Sequence, residues 1–208
     1  MSEAVYPLTF PTTVAPSRSE WGITRAVAQS QSPFTFTTQV HRFTGAKWYA
    51  NITLPPMNRT QANEYLAFYM QLNGQFGTFL LPDPDGKNVQ GSISNTVAVN
   101  GTFQAGAYDI DIDNADTSES TLFKKGDYVQ FNSGASSKLH MIVADVASDG
   151  SGNATLPIEP PLSATLANDA TVTYASPKCV MRMTSNDLSW TADRLSLYGV
   201  SFSCEEVL

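Results

Sequence analysis

Apolar and polar positions alternate most regularly between residues 33 and 81. Residues 33–40 and 48–54 each place mainly apolar side chains at every second position, which is the period of a half-buried β-strand. Gly45 lies between the two runs and can adopt the positive φ that a tight reversal needs. The pattern therefore predicts a β-hairpin whose turn lies at residues 44–46.

One helix is predicted, over residues 58–73. Apolar residues, Met70 among them, recur there with a period of 3.6. Asn58 and Gln61 have the spacing of a capping box. Gly74 follows at the position where many helices end in the left-handed conformation. Such a helix packs its apolar stripe on a sheet, so the neighbouring strands are expected to supply one.

Further strands are predicted on both sides of this region. A first strand is expected at residues 21–29, ahead of a turn at residues 30–32. After a break rich in proline and glycine at residues 82–91, short apolar runs alternate with turns, which is typical of a small β-barrel or sandwich. The last strand is predicted to include Leu195 and to bulge at Gly199. The short strands of the middle region are expected at residues 96–99, 108–112, 128–131, 139–146, 154–158 and 171–174.

The predicted fold class is therefore mainly β, with two domains. Residues 1–91 and 177–208 are expected to form one β-sandwich or barrel that carries the helix and is closed by a C-terminal β-hairpin. Residues 92–176 are expected to form a small β-barrel or sandwich inserted into it, since domain ends often lie close together. Residues 1–19 hold three prolines and predict an extended segment, lying either along a neighbouring subunit or on its own domain.

Composition and charge narrow the function classes. The chain has 208 residues, 13 glycines and 12 prolines, and only 15% of its residues are charged, which is unlike a helical bundle or a disordered chain. The net charge of −7 and the lack of a basic cluster beyond Lys124 and Lys125 argue against specific nucleic-acid binding. No apolar run approaches the roughly 18 residues that span a bilayer. The N-terminal ten residues lack a secretory signal, so we expect synthesis in a cytoplasm.

Sequence patterns of known catalytic sites are missing. His41 and His140 lie in strand patterns with no nucleophile elbow in the chain, and phosphate loops and metal-binding motifs do not occur. We therefore expect no enzyme, no cofactor and no catalytic residue. Cys179 and Cys204 are expected to be buried thiols in a reducing compartment, and a disulfide between paired strands is the open alternative.

Three aspartates share one face of a predicted strand. Asp109, Asp111 and Asp113 have the first three spacings of an EF-hand calcium loop. Asn114 and Ser120 stand where that loop needs glycine and glutamate, so no metal site is expected. The simpler interpretation is a strand with its aspartates facing outward, which makes them a candidate ligand or partner surface.

Three stretches carry a resemblance to a known family. They are SPFTFTTQVHRFTGAKWYANITLPPM with NRTQANEYLAFYMQLNG and GTFLLPDP, then KKGDYVQF with KLHMIVADVASDGSGNATLPIEPPL, and last CVMRMTSNDLSWTADRLSLYGVSFSCEEV. Together these stretches resemble the distal tail and tail-tip ring proteins of long-tailed bacteriophages. The resemblance covers most of the chain and is one of overall pattern, because the family has no short diagnostic motif.

The resemblance implies a structural virion protein. Such a protein forms a ring, here expected to be a hexamer, that connects the tail tube to the tip or baseplate and fibres. The N-terminal β domain makes the ring, and a second β domain projects outward, although here it is inserted and not C-terminal as in some members. The implied partners are copies of itself, the tail tube protein, and hub and fibre proteins. The implied location is the virion tail, assembled in the host bacterial cytoplasm, with DNA passing through the lumen.

Four residues are the candidate subunit interface: Phe34, Phe36, Trp48 and Tyr49. A ring needs apolar surfaces or strand edges that join head to tail around a closed rotation, and the predicted hairpin offers both.

Two other functions are weighed against the ring subunit. One is a carbohydrate-binding or fibre-attachment module in which the inserted domain acts in host adsorption. Tyr108, Tyr128 and Tyr174 are its candidate stacking residues, and packing in the strand core is the favoured alternative for them. The other is a tail-associated hydrolase, for which the sequence singles out no carboxylate pair.

Overall fold

The computed structural model describes residues 4–193 and 197–208. This part of the chain is mainly β, with one α-helix and two sheets, so the predicted fold class is confirmed. Its elements in chain order are β1 (Leu8–Thr9), β2 (Arg18–Gln31), β3 (Thr38–Thr53), α1 (Arg59–Leu72), β4 (Thr78–Pro82), β5 (Ala98–Val99), β6 (Asp109–Asp113), β7 (Tyr128–Phe131), β8 (Lys138–Ile142), β9 (Ala154–Glu159), β10 (Val172–Thr173), β11 (Lys178–Met183), β12 (Trp190–Ala192) and β13 (Tyr198–Glu206).

The first sheet combines early and late strands of the chain. Its strand order is β1-β4-β11-β13-β3-β2, and β12 pairs with β13 outside this path. β1 runs parallel to β4, and the other neighbours are antiparallel. The late strands β11 and β13 therefore occupy the middle of the sheet, between β4 and β3.

The residues that precede β2 pack on the chain itself. Phe10 belongs to the apolar core of the first sheet. The Tyr65 hydroxyl, on the helix, donates to the Val14 carbonyl at 2.8 Å. Residues 1–19 were expected to lie either along a neighbouring subunit or on their own domain. Residues 4–19, the described part, pack on their own domain.

Helix α1 has the caps that the sequence predicts. The Asn58 side chain accepts from the Gln61 N–H at 3.0 Å, and the Gln61 side chain accepts from the Asn58 N–H at 3.3 Å. Asn73 and Gly74 both take the left-handed conformation after the last turn. Met70, predicted in the apolar stripe, is exposed instead. The side chains that bury the helix on the first sheet are Ala62, Tyr65, Phe68, Tyr69 and Leu72.

The first hairpin reverses at a different place from the one predicted. β2 and β3 are continuous strands of 14 and 16 residues, and the turn lies at residues 33–36, not at residues 30–32 or 44–46. Pro33 favours a turn because its ring fixes φ. Phe36 completes the reversal with a φ of 55°, a left-handed conformation that the alternating pattern does not indicate.

The predicted turn at residues 44–46 overlaps an irregularity within β3, at residues 43–45. Arg25 pairs with Ala46, whereas Val27, two residues later on β2, pairs with Arg42, four residues away on β3. The extra residues make a bulge, which bends a strand and increases its twist without reversing it. Gly45, which predicts a turn from sequence, therefore lies in a β-bulge.

The second sheet curls into a nearly closed barrel. Its order is β10-β7-β8-β9-β6-β5, with every neighbouring pair antiparallel. A bridge between Ala98 and Thr171 connects the two ends of this path, which leaves little free strand edge. Each strand overlaps a predicted one, although β8 ends at Ile142 and not at residue 146. The barrel has its own cluster of buried apolar side chains.

The chain leaves the first sheet and returns to it at one point. Pro82, at the end of β4, pairs with Lys178, at the start of β11. Beyond Pro82, the outgoing segment is held by the buried Asp127 carboxylate, which accepts from the N–H groups of Gln90 and Gly91 at 2.8 and 3.3 Å. These bonds satisfy the carboxylate in its buried position and fix the course of the segment.

The C-terminal region departs from the prediction in two details. β13 begins at Tyr198, and Gly199 pairs in regular register with Thr191 of the unpredicted strand β12 and does not bulge. A Cβ at Gly199 would lie 2.9 Å from the Thr191 hydroxyl, so the glycine permits a close approach between strands. Leu195 lies outside the described residues.

Cys179 and Cys204 are both buried and free, as the sequence predicts, and no disulfide joins them in this structure. Burial raises the pKa of Cys179, and it raises the pKa of Cys204 to about 12. A thiol with a raised pKa carries little thiolate at neutral pH and is correspondingly unreactive.

Candidate assembly site: the hairpin arm

The β2–β3 hairpin extends beyond the sheet as an uncovered arm. Between Thr24 and Gly45 every residue is exposed except Ser32, which is half-buried. We call residues 24–45 the hairpin arm. At about 3.3 Å per residue, its strands reach roughly 25 Å from the base to the turn. The arm is therefore a two-stranded ribbon with solvent on both faces.

The tip of the arm presents two phenylalanines to solvent. The Ser32 carbonyl accepts from the Phe36 N–H at 2.9 Å, and the Ser32 hydroxyl accepts from the N–H groups of Phe34 and Thr35 at 3.4 Å. These bonds close the turn on its inner side and leave the aromatic side chains outside. Phe34 is 92% exposed and Phe36 is 72% exposed.

Apolar side chains continue along both faces of the arm. Val27 and Val40 are exposed on one face, as the cross-strand register places them. Phe43 is exposed on the other, with its ring 4.6 Å from that of His41. Exposed apolar residues grouped in this way mark a candidate interaction surface.

Charged contacts anchor the base of the arm to the barrel. The Arg25 and Arg42 guanidinium groups lie 2.8 and 3.3 Å from the two carboxylate oxygens of Glu159 on β9. Arg42 also lies over the ring of Tyr108, 4.8 Å from its centroid, and donates to its hydroxyl. Exposed ion pairs of this kind contribute little stability singly, but here they share one carboxylate and set the direction of the arm.

The four predicted interface residues occupy different surroundings. Phe34 and Phe36 lie together at the tip of the arm. Trp48 is buried at the junction with the barrel, where its indole N–H donates to the Leu139 carbonyl at 2.8 Å, so it is not available to a neighbouring subunit. Tyr49 is partly exposed and lies across Gly22, where an added Cβ would meet the tyrosine ring at 2.3 Å.

The three predicted aspartates lie on the outer surface of the barrel. Asp109 and Asp111 line an open groove of about 740 Å³, together with Asp145 and Asp149. Asp111 accepts from the Thr155 hydroxyl at 2.6 Å. Hydrogen bonds from Asn153 hold the pKa of Asp149 below its ordinary value. Asp113, at the end of β6, is not among the residues that line this groove, and it accepts from the Asn114 side chain at 2.7 Å.

The groove has no further feature of a metal centre. Within residues 4–193 and 197–208, no group of three histidine, cysteine, aspartate or glutamate side chains could hold a metal ion.

The three candidate stacking tyrosines are engaged elsewhere. Tyr108 lies under the Arg42 guanidinium, and Tyr174 packs edge-on against the buried Phe123 ring at 6.0 Å. Tyr128 packs against Trp48 at 5.9 Å, and burial, with the nearby Asp83, raises its pKa to about 12. The tyrosines therefore do not form one stacking platform.

Sequence reasoning assigned the tip residues to a strand and missed the arm as a unit. An absence of charge could have indicated it. Residues 26–40 contain no Asp, Glu, Lys or Arg, although they are exposed. An exposed strand pair normally carries charges on its solvent face.

Comparison with known proteins adds no identification. No family model matches the chain, and no curated protein matches it significantly. None of the helices in the described ranges is long and apolar enough to cross a membrane.

Proposed function

We propose that this protein is a structural subunit that joins head to tail with copies of itself into a ring. We further propose that this ring is a distal tail or tail-tip component of a long-tailed bacteriophage, connecting the tail tube to the tip and fibres. The observation that carries the proposal is the hairpin arm, which extends from the sheet with apolar side chains exposed on both faces and at its tip.

The arm is a structure that needs a partner. An isolated two-stranded hairpin is at best marginally stable in water, and within the described part of the chain the ion pairs that fix this one to the barrel lie near its base. Burying one phenylalanine side chain contributes about 1.5–3 kcal/mol, so covering Phe34 and Phe36 would stabilise an assembly appreciably. A neighbouring subunit that covers the arm supplies the missing packing.

The sequence resemblance supplies the biological setting. Distal tail rings are built by a β domain with one helix, and this chain has such a sheet with a second β unit joined to it. The net charge of −7 agrees with a conduit for DNA, because an acidic lumen does not hold the phosphate backbone. The proposed partners are therefore further copies, the tail tube protein, and hub and fibre proteins of the virion tail.

Light scattering coupled to size-exclusion chromatography tests self-assembly. We expect the unmodified protein to give a discrete closed oligomer, a hexamer on the family resemblance, at several concentrations. The double variant Phe34→Ser with Phe36→Ser is expected to run as a monomer. Val143→Ser is the matched control, because Val143 is an exposed apolar residue outside the arm. A monomeric unmodified protein, or an oligomer that survives the double substitution, would contradict the proposal.

The alternative function, a carbohydrate-binding or fibre-attachment module, has weaker support. Sugar sites commonly stack a ring on an exposed aromatic side chain, and the tyrosines considered for this role pack on other residues. The barrel groove is lined by aspartates and small residues, with no aromatic side chain among them.

A further inference from the structure

The edge of the first sheet opposite the arm carries a second apolar surface. Met70, in the last turn of α1, is 60% exposed, and Phe76, just before β4, is 67% exposed. Tyr6 contacts Phe76 and the end of the helix: its ring is 5.8 Å from that of Phe76, and its hydroxyl donates to the carbonyl of Gln71, the residue after Met70, at 2.6 Å. Val5 is exposed beside Tyr6. We call Val5, Tyr6, Met70 and Phe76 the edge patch.

The arm and the edge patch lie at opposite ends of one sheet. The arm is the extension of β2 and β3, which end the strand order on one side. The edge patch adjoins β1 and β4, which end it on the other side. A ring requires two different surfaces on each subunit, whereas a single self-complementary surface yields a closed dimer. The placement therefore suits a ring.

The two surfaces also match in their lack of charge. The arm has no charged residue over residues 26–40, and the region of the edge patch has none over residues 65–82. In a chain with 15% charged residues, these two segments can meet without removing a charge of their own from water, which is the largest cost of forming an interface. The acidic barrel groove offers no comparable match to an aromatic tip.

The side chains are also of complementary kinds. Aromatic rings carry few rotatable bonds and lose little entropy when they are buried, which makes them effective anchors. Methionine is flexible and polarizable and adapts its shape to an incoming ring. An aromatic anchor against a methionine and a second aromatic ring is a favourable combination.

We propose that Phe34 and Phe36 of one copy seat on the edge patch of the next copy, against Met70 and Phe76. This inference rests on the proposed self-assembly and specifies its acceptor surface. It makes each subunit a donor at one sheet edge and an acceptor at the other.

Disulfide trapping tests the contact directly. The double variant Phe36→Cys with Phe76→Cys, oxidised in dilute solution, is expected to form a ladder of covalent oligomers on a non-reducing gel, ending at the size of the closed ring. Each single variant is expected to give no ladder, and an equimolar mixture of the two is expected to give the heterodimer. The native thiols are buried and remain unmodified. Phe36→Cys with Val143→Cys is the control, and it is expected to remain monomeric on the gel.

Charge substitution separates this inference from the proposed function. Phe76→Glu and Met70→Glu are each expected to raise the dissociation constant of the oligomer at least about tenfold, because either buries an unpaired carboxylate. One combination of results is that the tip variants weaken the oligomer while both patch variants leave it stable and no disulfide ladder forms. That combination would overturn the edge patch as the acceptor surface but would leave the proposed self-assembly intact. If neither the tip variants nor the patch variants change the stability of the oligomer, the proposed function itself is overturned. Circular dichroism checks that each variant is folded.

Discussion

At the scale of single residues, His140 has the most unusual surroundings. It is 2% exposed inside the barrel and packs 5.2 Å from the Phe131 ring. Its Nδ1 lies 2.7 Å from the Pro160 carbonyl oxygen, so Nδ1 carries the proton and donates. Nε2 is buried without a hydrogen-bond partner. Burial lowers the pKa of His140 to about 4, which keeps the ring neutral at physiological pH.

His140 should make the stability of the protein depend on pH. Its folded pKa of about 4 lies below the unfolded value of about 6.5, so the contribution of the neutral ring is complete above pH 6.5 and is lost as pH falls toward 4. Between pH 7.5 and 5.5 we expect a loss of about 1.3 kcal/mol. Urea unfolding of the protein and of His140→Gln at both pH values measures it.

The comparison needs two controls. Burial raises the pKa of Glu206, so that carboxyl acts in the opposite direction, and only the difference between the protein and the variant isolates His140. His41→Gln removes an exposed histidine and is expected to change nothing. An equal pH dependence in the protein and in His140→Gln would show that His140 does not titrate in this way.

At the scale of secondary-structure elements, local patterns predicted most of the fold. The helix was predicted because its stripe, capping pair and terminal glycine are all encoded within 17 residues, 58–74. The barrel strands were predicted because each is a short apolar run bounded by turn residues. Met70 was wrongly assigned to the buried stripe of the helix. The helical period shows that a stripe exists but does not fix its width, and the buried stripe includes Phe68 instead of Met70.

The hairpin turn was misplaced for a physical reason. Gly45 suits both a turn and a bulge, and sequence alone does not distinguish them. The true turn at residues 33–36 uses a phenylalanine at positive φ, which few residues of that kind adopt. The sequence therefore selected Phe34 and Phe36 as candidate interface residues, but it did not predict that they lie at the tip of an arm that extends beyond the sheet.

The capping box of α1 should contribute measurable stability. Asn58→Ala removes the acceptor of the Gln61 N–H and is expected to lower the free energy of unfolding by about 1 kcal/mol. Asn63→Ala is the matched control, because Asn63 is exposed in the helix interior and alanine there has the higher helix propensity. Urea unfolding followed by circular dichroism measures both. Equal stability of the two variants would mean that the cap bonds contribute nothing.

At the scale of the whole molecule, Trp48 joins the two sheets. It belongs to β3, its indole N–H bonds to the barrel strand β8 at Leu139, and its ring packs against Tyr128 of β7. The contact unites residues 91 positions apart in the chain. No local pattern encodes such a pairing, and for the same reason Trp48 was assigned from sequence to a subunit surface.

Losing the indole N–H should weaken this junction. Trp48→Phe keeps an aromatic ring but removes the donor to the Leu139 carbonyl, and we expect it to cost about 1–3 kcal/mol of unfolding free energy. Trp21→Phe is the control, because its indole donates to the nearby Ser19 hydroxyl and makes no bond to the barrel. Limited proteolysis of the segment at residues 83–91 provides a second measurement, with faster cleavage expected in Trp48→Phe alone. Equal cleavage and stability in both variants would count against the junction.

The pairing of Pro82 with Lys178 has a consequence for how such a protein can diverge. Neighbouring strands lie only about 5 Å apart, so the barrel is attached across a gap that a two-residue turn could close. Any unit whose ends lie equally near each other could replace it without altering the register of β4 and β11. Lineages could therefore exchange or discard the barrel by recombination at this one position, while the arm and its sheet, which carry the proposed contacts between copies, are inherited unchanged.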